Sequence, residues 1–367
     1  MIKGKVIVQL LVYSEPVEMI DRLFASLEKV KYPKELWEVA VLNNFCVGHE
    51  DLRTLVVGKW LPRAEAQGWK IHFFEKNPNL GFAGGHEFLY REVAKLEPEF
   101  VYLLNGDASV DPHFLAEAVT FADEHPNAAI MQSRIMLQQE PELLNSSGNA
   151  MQFLGFGFSL GYRVKADADG QPVGQTKLPM FYPSGAGVLF RVAVLENIGG
   201  LFDPRYFLYH EDSDVGWRAI IAGHEVMYAP KSVIFHHYEF SKSIKKFYWI
   251  ERNRFVNLFV FYRMSTLLLI MPALVLMEFG TLLFAVKSGW WKEKLRMWGF
   301  FWKPSTWRWI MQRRRFVQKI RVRSDRDMLG YMDGAVTNQE VENPLMTYVA
   351  NPFLRGYFYV LKKLVRW

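Results

Sequence analysis

Cysteine is nearly absent from this chain of 367 residues, which has only Cys46. A single thiol excludes an internal disulfide framework and a cysteine zinc cluster, and it fits a reducing compartment. A secretory leader is not expected either. Met1–Lys5 runs straight into Val6–Tyr13, an apolar stretch too short for a signal core with its cleavage site. There is no internal repeat, no low-complexity tract, no GxGxxG fingerprint and no P-loop. Apolar residues are plentiful, at 50% of the chain. That is enough for a large core, and the length is that of about two typical domains.

Charge is unevenly spread. The net charge is +6, but Lys287–Arg323 holds twelve Lys/Arg against the single acid Glu293, so that segment is +11 and the remainder is −5. It also holds six of the twelve tryptophans: Trp290, Trp291, Trp298, Trp302, Trp307 and Trp309. Basic residues interleaved with tryptophan suit either nucleic acid or an anionic membrane surface. The preceding residues decide for the membrane. Ser265–Val286 has 22 positions and one charge, Glu278, long enough to cross a hydrocarbon core of ~30 Å, unless it is a buried core helix. A plain span would put the basic segment across the membrane from the rest of the chain, against the positive-inside tendency. A re-entrant or in-plane helix bent at Pro272 is therefore expected. Near the end, Leu354, Tyr357, Phe358, Leu361, Leu364 and Val365 share one helical face, the pattern of an interfacial helix. Nucleic acid is not expected as a partner.

The first 240 or so residues alternate between two kinds of segment. Val6–Tyr13, Trp37–Leu42, Lys70–Phe74, Phe100–Leu104 and Ala128–Gln132 are strand-like, with no polar face. Pro16–Val30, Ala83–Leu96 and Pro112–Ala122 have helical spacing. This order predicts an α/β fold with a mostly parallel sheet covered on both sides. Asn145–Gln175, rich in Gly, Ser and aromatics, reads as a loop or small hairpin. A strand at Gly187–Phe190, a helix over Asp214–Ala222, short strands at Val226–Ala229 and Val233–Phe235, and a helix over Ile244–Tyr262 follow.

In open parallel sheets, ligands bind beyond the carboxyl ends of the strands. The polar residues at those ends are Ser14 and Glu15, Asn43 and Asn44, and Asn105 and Asp107. A carboxylate straight after a buried strand, as at Asp107, is placed to hold Mg²⁺ or Mn²⁺ together with substrate phosphates. Asn105-Gly106-Asp107 is also a good turn sequence. Gly81-Phe82-Ala83-Gly84-Gly85 opens a helix whose N-terminal N–H groups suit a phosphate. Glu211-Asp212-Ser213-Asp214 packs three carboxylates into four residues. Asp214 suits a helix cap, and the other two raise each other's pKa, as suits a base working near neutrality. His236 and His237 follow a strand, where a histidine beside acids is a further candidate metal ligand.

Taken in order, these pieces resemble the family 2 glycosyltransferases of the GT-A fold, especially the bacterial rhamnosyltransferase-like members. The resemblance covers roughly residues 5 to 262. It rests on Asn77-Pro78-Asn79-Leu80-Gly81-Phe82-Ala83-Gly84-Gly85, Leu103-Leu104-Asn105-Gly106-Asp107, Pro183-Ser184-Gly185-Ala186-Gly187 and Gly199-Gly200-Leu201-Phe202-Asp203. Tyr209-His210-Glu211-Asp212-Ser213-Asp214, His236-His237 and Glu251-Arg252-Asn253-Arg254 complete it.

The resemblance implies an inverting transferase working on a nucleotide-sugar donor and a lipid-linked or glycan acceptor. Residues 1–262 would be the catalytic domain, and residues 263–367 a membrane-associated helical region on the cytoplasmic side. Asn105-Gly106-Asp107 stands in the place of the family's DXD motif, with Asp107 and His236 as metal ligands. Asp212 stands in the place of the catalytic base. Tyr13, Glu15, Asn43, Asn44, Gly81, Gly84, Asn105 and Asp107 fall on the donor side. Ser184, Gly185, Glu211, Trp217 and Arg218 fall on the acceptor side. One departure is Asn43-Asn44 where the family usually has Asp-Asn, so an amide replaces a carboxylate as acceptor for the nucleobase. A nucleotidyltransferase is disfavoured by the lack of a basic Gly-rich loop after the first strand, and a non-catalytic scaffold by the intact acids.

Overall fold

The computed structural model describes residues 4–45, 47, 50–174, 178–238, 246–337 and 344–367; Cys46 and the first two positions of the Ile244–Tyr262 helix lie outside them. The apolar runs become strands. They are β1 (Val6–Val12), β2 (Trp37–Asn43), β3 (Lys70–Glu75), β4 (Phe100–Asn105), β5 (Ala108–Val110) and β6 (Ala128–Leu137). The short β7 (Leu144–Ser146), β8 (Asn149–Gln152) and β9 (Gly157–Ser159) follow, then β10 (Gly187–Arg191), β11 (Glu225–His236) and β12 (Met332–Asp333). All residues of β1 and β2 are buried, because helices cover both faces.

The main sheet has the order β3-β2-β1-β4-β10-β6-β11-β5, with β7 on β6. Strands β1 to β4 pair in parallel, as do β6 and β11. The sheet is nevertheless mixed, where the sequence pointed to a mostly parallel one. Strand β10 enters antiparallel between β4 and β6, and β5 pairs antiparallel with β11. An apolar run shows that a strand is buried but carries no information on its direction. The two short strands read at 226–229 and 233–235 are one strand, β11, with its register broken between Ala229 and Val233. Within the stretch read as a loop or hairpin, β8 and β9 do form a hairpin, and β12 extends it into a second small sheet.

On one face of the main sheet lie α1 (Val17–Leu27), the pair α2 (Glu50–Arg53) and α3 (Leu61–Ala66) joined by a wider-wound turn, and α5 (Phe114–Glu124). On the other lie α4 (Gly81–Val93), α6 (Val192–Asn197), α7 (Glu211–Ile221) and α8 (Lys246–Phe261). In α1, Ile20, Leu23, Phe24 and Leu27 face the core, as their spacing requires. Helix α7 starts at Glu211, not at Asp214, so Asp214 sits within its first turn and does not cap it. Burial opposes a charge on Asp214, but Arg313 and Arg218 outweigh it and hold the carboxyl below its usual range.

The remaining helices are α9 (Met264–Lys287), α10 (Trp291–Phe301), α11 (Pro304–Ile320), α12 (Asp325–Gly330) and α13 (Asn351–Leu364). Helices α9, α11, α12 and α13 belong to the same hydrophobic core as α7 and α8, through Ile270, Trp309, Ile310, Val317, Met328 and Leu354, and Phe300 and Phe301 of α10 pack against it. Helix α9 is apolar all round but treated differently on its two sides. Leu267, Ile270, Ala273, Leu274 and Met277 are buried against the protein, whereas Leu268, Val275, Leu276, Phe279 and Leu283 are exposed. Its one carboxylate, Glu278, turns inward to Lys294 (2.9 Å), Trp298 (2.9 Å) and Arg254 (3.5 Å). Of the α13 face expected to meet a membrane, the larger part meets the protein, while Leu364 stays exposed and Tyr357 half-buried. Leu354, Phe358, Leu361 and Val365 are buried in the core, and Phe358 stacks on Phe153. Helical spacing identifies an apolar face but not what covers it.

About half of the basic segment is spent internally. Arg313 binds Asp203 and Asp214, Arg314 donates to the carbonyls of Phe259 and Tyr262, and Arg321 pairs with Asp325. Lys294 is fully buried against Glu251 and Glu278. Lys287, Lys292, Lys303, Arg308, Arg315 and Lys319 remain exposed. Replacing Arg313 with Met leaves Asp214 with one cation in a buried site. This is expected to destabilise the chain by roughly 3–5 kcal/mol, read as a lower urea midpoint.

Candidate active site

The polar strand ends converge where β4, β5 and β11 meet. β4 delivers Asn105, and the chain turns through Gly106 and Asp107 into β5. β11 pairs His236 with Ala108 and ends with the His237 N–H donating to the Asp107 carbonyl (3.0 Å). That register brings His236 Nε2 to 3.2 Å from Asp107 Oδ1. His236 Nδ1 lies 2.9 Å from Asn145 Oδ1. That oxygen only accepts, so Nδ1 is the donor to it, and in the neutral ring the Nε2 lone pair faces Asp107, with Asn105 Nδ2 at 3.3 Å. A carboxylate oxygen and an imidazole lone pair side by side fit a cation, since two ligands on adjacent octahedral positions at ~2.1 Å lie ~3 Å apart. Among the described residues no group of three or more His, Cys, Asp and Glu could hold a metal. The rest of a coordination shell would therefore come from phosphate oxygens and water.

Asp212 lies in the first turn of α7, half-buried, with the Ser213 N–H donating to its Oδ1 (2.7 Å). Burial raises its pKa to about 7, against the hydrogen bonds from the backbone of Ser213 and Asp212. Its neighbours are unsuited to act as bases. Glu211 is 5% exposed, and burial followed by the charge of Asp212 pushes its carboxyl well up. Asp214 is fully buried between two arginines. On the same face of α7, one turn after Asp212, Gly216 lets the helix approach Phe181 and Tyr182; a Cβ there would sit 2.7 Å from the Phe181 carbonyl. The phenol of Tyr182 is held un-ionised, first by burial and then by the Asp212 charge. From Tyr182 the chain runs through Ser184 and Gly185 to Ala186, whose carbonyl accepts from Asn105 N–H (3.2 Å). One short segment thus links the neighbourhood of Asp212 to that of Asp107.

The loop before α7 is strained. Phe207, Tyr209 and His210 all have left-handed backbone angles (φ 63°, 64° and 66°), costing roughly 1–3 kcal/mol each. Two side chains of α8 hold it. Asn253 Nδ2 lies within hydrogen-bond reach of the carbonyls of Tyr206 (3.0 Å), Leu208 (3.0 Å) and Tyr209 (2.7 Å), and Arg252 donates to those of Arg205 (2.6 Å) and Tyr206 (2.9 Å). These contacts account for the middle of Glu251-Arg252-Asn253-Arg254: Arg252 and Asn253 clamp the loop.

Several expected site residues are placed otherwise. Trp217 is 1% exposed and stacks on Phe261; Arg218 is 2% exposed, bonded to Asp214 and to the carbonyls of Ile198, Gly200 and Leu201. Neither reaches an acceptor, because both lie on the core side of α7. The N–H groups at the head of α4 are also engaged. Leu80 N–H donates to Asn44 Oδ1 (3.0 Å), Gly81 N–H to Asn79 Oδ1 (2.7 Å) and Ala83 N–H to the Phe207 carbonyl (3.2 Å). Gly81 is needed there because its φ is +72° and a Cβ would meet the Phe207 carbonyl at 2.4 Å; at Gly84 a Cβ would crowd Leu80. Gly81 and Gly84 thus serve packing, not a phosphate. Asn44 is spent on Asn79, Leu80 and Gly81, and Asn43 is fully buried. Tyr13 remains open, 45% exposed, with Phe45 beside it at 6.1 Å between ring centroids. Glu15 accepts from Tyr13 N–H (2.7 Å) and Ser14 N–H (3.1 Å) and lies against Gly106. Phe45 and Tyr182 escaped the sequence reading, since nothing in their spacing marks them.

This sheet with its strand-end acids is the GT-A fold of a glycosyltransferase. Residues 63–257 match the family described as glycosyltransferase like family 2, and the chain belongs to it. Glucomannan 4-beta-mannosyltransferase 7 of Arabidopsis thaliana is 25% identical over 225 residues, covering 61% of this chain and 37% of that protein. N-acetylglucosaminyl-diphospho-decaprenol L-rhamnosyltransferase of Mycobacterium tuberculosis is 41% identical over 59 residues, 16% of this chain and 19% of that protein. Among solved structures, the mannosyltransferase PcManGT from Pyrobaculum calidifontis in complex with GDP-Man and Mn²⁺ is similar with a TM-score of 0.48 and 13% identity, over 100% of this chain and 88% of that one. S. aureus TarS 1–349 is similar with a TM-score of 0.49 and 16% identity, over 98% and 90%.

Removing the clamp tests its role. Asn253→Ala removes this donor from the carbonyls of 208 and 209 and leaves that of 206 to Arg252 and the Leu208 N–H. Amide exchange is expected to accelerate across 205–213 and the unfolding midpoint to drop, at roughly 1–3 kcal/mol per buried group left unsatisfied.

Proposed function

We propose that this glycosyltransferase moves a hexosyl group, rhamnose or another hexose, from a nucleotide diphosphate to a hydroxyl of a lipid-linked or cell-surface glycan, with inversion and with Mg²⁺ or Mn²⁺. The observation that carries the reading is the pairing of Asp107 with His236 at 3.2 Å, a donor set that asks for a cation beside a diphosphate. Relatives named for mannosyl and rhamnosyl transfer support a hexose. A divalent cation at this pair would supply positive charge to a diphosphate leaving group. His236 is oriented for that place by Asn145, and Asp107 by the β4–β5 turn.

Asp212 takes the proton from the acceptor hydroxyl as its oxygen attacks the anomeric carbon. Its half-buried carboxylate, with a pKa of about 7, is poised near neutrality, while Glu211 is buried and pushed toward its neutral form and Asp214 is held between two arginines. Tyr13 and Phe45 flank the nucleobase. Ser184 and Gly185 line the passage between the donor and Asp212. Residues 1–262 carry the chemistry. Residues 263–367 brace α7 and α8 and present the exposed side of α9 to the cytoplasmic leaflet. An α9 packed along one side of the protein favours lying in the membrane plane over crossing it.

A hydrolysis screen of UDP-, GDP- and dTDP-hexoses with purified full chain, with and without Mn²⁺, tests the core of this reading. One donor is expected to turn over only with metal, and metal-independent turnover would overturn it. Asp212→Asn is expected to cut transfer by on the order of 10²–10⁴ while donor affinity stays within a few-fold. In the parent, kcat rises with pH as Asp212 loses its proton, with a limb near pH 7, and the variant loses that limb. A parent profile flat from pH 5 to 8 would remove Asp212 from the role. Tyr13→Ala is expected to raise donor KM by roughly tenfold, the effect of one stacking contact worth ~1–3 kcal/mol. The full chain is expected to stay on membranes in high salt and to need detergent for release, because salt screens charge but not apolar burial.

A further inference from the structure

Between α9 and α13 runs an open groove of about 430 Å³, within the ~300–1,000 Å³ typical of small-ligand sites. Its walls are Leu269, Phe353, Tyr357, Val360 and Leu364, and its floor is Gly356. No charged side chain lines it. The one hydroxyl in the wall is committed, because Tyr357 Oη donates to the Leu269 carbonyl (2.5 Å) and so ties the two helices together. At Gly356 the space is real, since a Cβ built there meets nothing within 4 Å.

Two further features say what the groove takes. The exposed side of α9, the helix that supplies Leu269 to the groove, is itself apolar, through Leu268, Val275 and Phe279. The end of α13 carries exposed Lys362, Lys363 and Arg366, and no acid follows Glu342 in the chain. An apolar trough with a basic end matches a molecule with a long hydrocarbon chain and an anionic head. A soluble partner protein would have to bring both a hydrophobic ridge and an acidic patch, whereas an anionic phospholipid has both in one molecule.

We propose that the α9–α13 groove holds one acyl chain of an anionic bilayer phospholipid along Gly356, with its phosphate among Lys362, Lys363 and Arg366. The proposal rests on the membrane-surface part of the reading above and not on the identity of donor or acceptor. It goes further than a flat apolar face dissolving in the membrane, because it predicts a counted, ordered lipid.

The two pictures separate on Gly356→Leu. Leucine fills the groove and favours the helix, so the fold is retained. It also adds apolar surface, so a flat face would bind membranes equally or better, while a filled groove loses its lipid. The test is native mass spectrometry of the full chain released from detergent after incubation with phosphatidylglycerol, phosphatidylcholine or an isoprenoid phosphate. The expected result is one retained phosphatidylglycerol and little phosphatidylcholine. Retention should be at least tenfold lower in Gly356→Leu and about threefold lower in Lys362→Gln/Lys363→Gln, whose changes lie on the surface. Equal retention in Gly356→Leu overturns the proposal in favour of a flat face. Retention of isoprenoid phosphate alone overturns it in favour of an acceptor site. A lipid-free dimer that Gly356→Leu dissociates overturns it in favour of a second copy of this chain. Donor hydrolysis in the same preparations keeps the readings apart: absent turnover in the parent would sink the transferase substrates and leave the lipid result standing.

Discussion

Asp214 is the buried charge around which this protein is arranged. It is fully inaccessible, and it survives as an anion because Arg218, one turn along α7, and Arg313, from α11, both reach it. An isolated carboxylate in that position would protonate or force the core apart, since the desolvation of an unpaired ion costs several kcal/mol. Each arginine then spends its remaining donors nearby: Arg218 on the carbonyls of Ile198, Gly200 and Leu201, Arg313 on Asp203. Three segments far apart in sequence, 198–203, α7 and α11, are fastened at one point. Asp212, two residues before Asp214, takes its position from that fastening.

The same logic extends outward through α8. Asn253 and Arg252 hold the strained carbonyls of 205–209. On the other side of the helix, Glu251 and Arg254 join Lys294 and Glu278 in a buried cluster. Burial works against an ionised Glu251, but Arg254 and Lys294 prevail and bring its pKa down to about 2. The helices that face outward are therefore wired by charge to the helix that holds the strained 205–209 loop. In a soluble core such a cluster would be an expensive choice. Here it lets an apolar α9 keep its one carboxylate away from its exposed side, so that side is free of charge.

Much of this was legible beforehand, and the gaps have physical causes. The apolar runs gave the strands because burial on both faces leaves no polar period to misread. The strand-end residues were singled out because the carboxyl edge of such a sheet is where a ligand fits, and the fold does bring Asp107 beside His236 there. What failed were judgements about which side of a helix a residue occupies. Trp217 and Arg218 are next to Asp212 in the chain, yet they turn to the core because 100° per residue carries them off its face. Asn44 and the glycines of 81–85 look like ligand contacts, but the helix N–H groups are taken within the fold, by Asn44, Asn79 and the Phe207 carbonyl. Phe45 and Tyr182 gave no signal at all.

The amino-acid pattern by itself determined the alternation of strand and helix, the family, the acids at the carboxyl edge and the existence of an apolar helix followed by a basic, tryptophan-rich segment. These are local properties, carried by continuous apolar runs, by helical spacing and by short motifs. Tertiary structure decided the rest. It set the antiparallel entry of β10, the β5–β11 register that brings Asp107 and His236 within 3.2 Å, and the burial of Glu211 and Asp214 that leaves Asp212 open. It also decided which half of α9 and of α13 the protein covers. Those outcomes depend on what packs against each face, and a sequence records that an apolar face needs covering without recording what covers it.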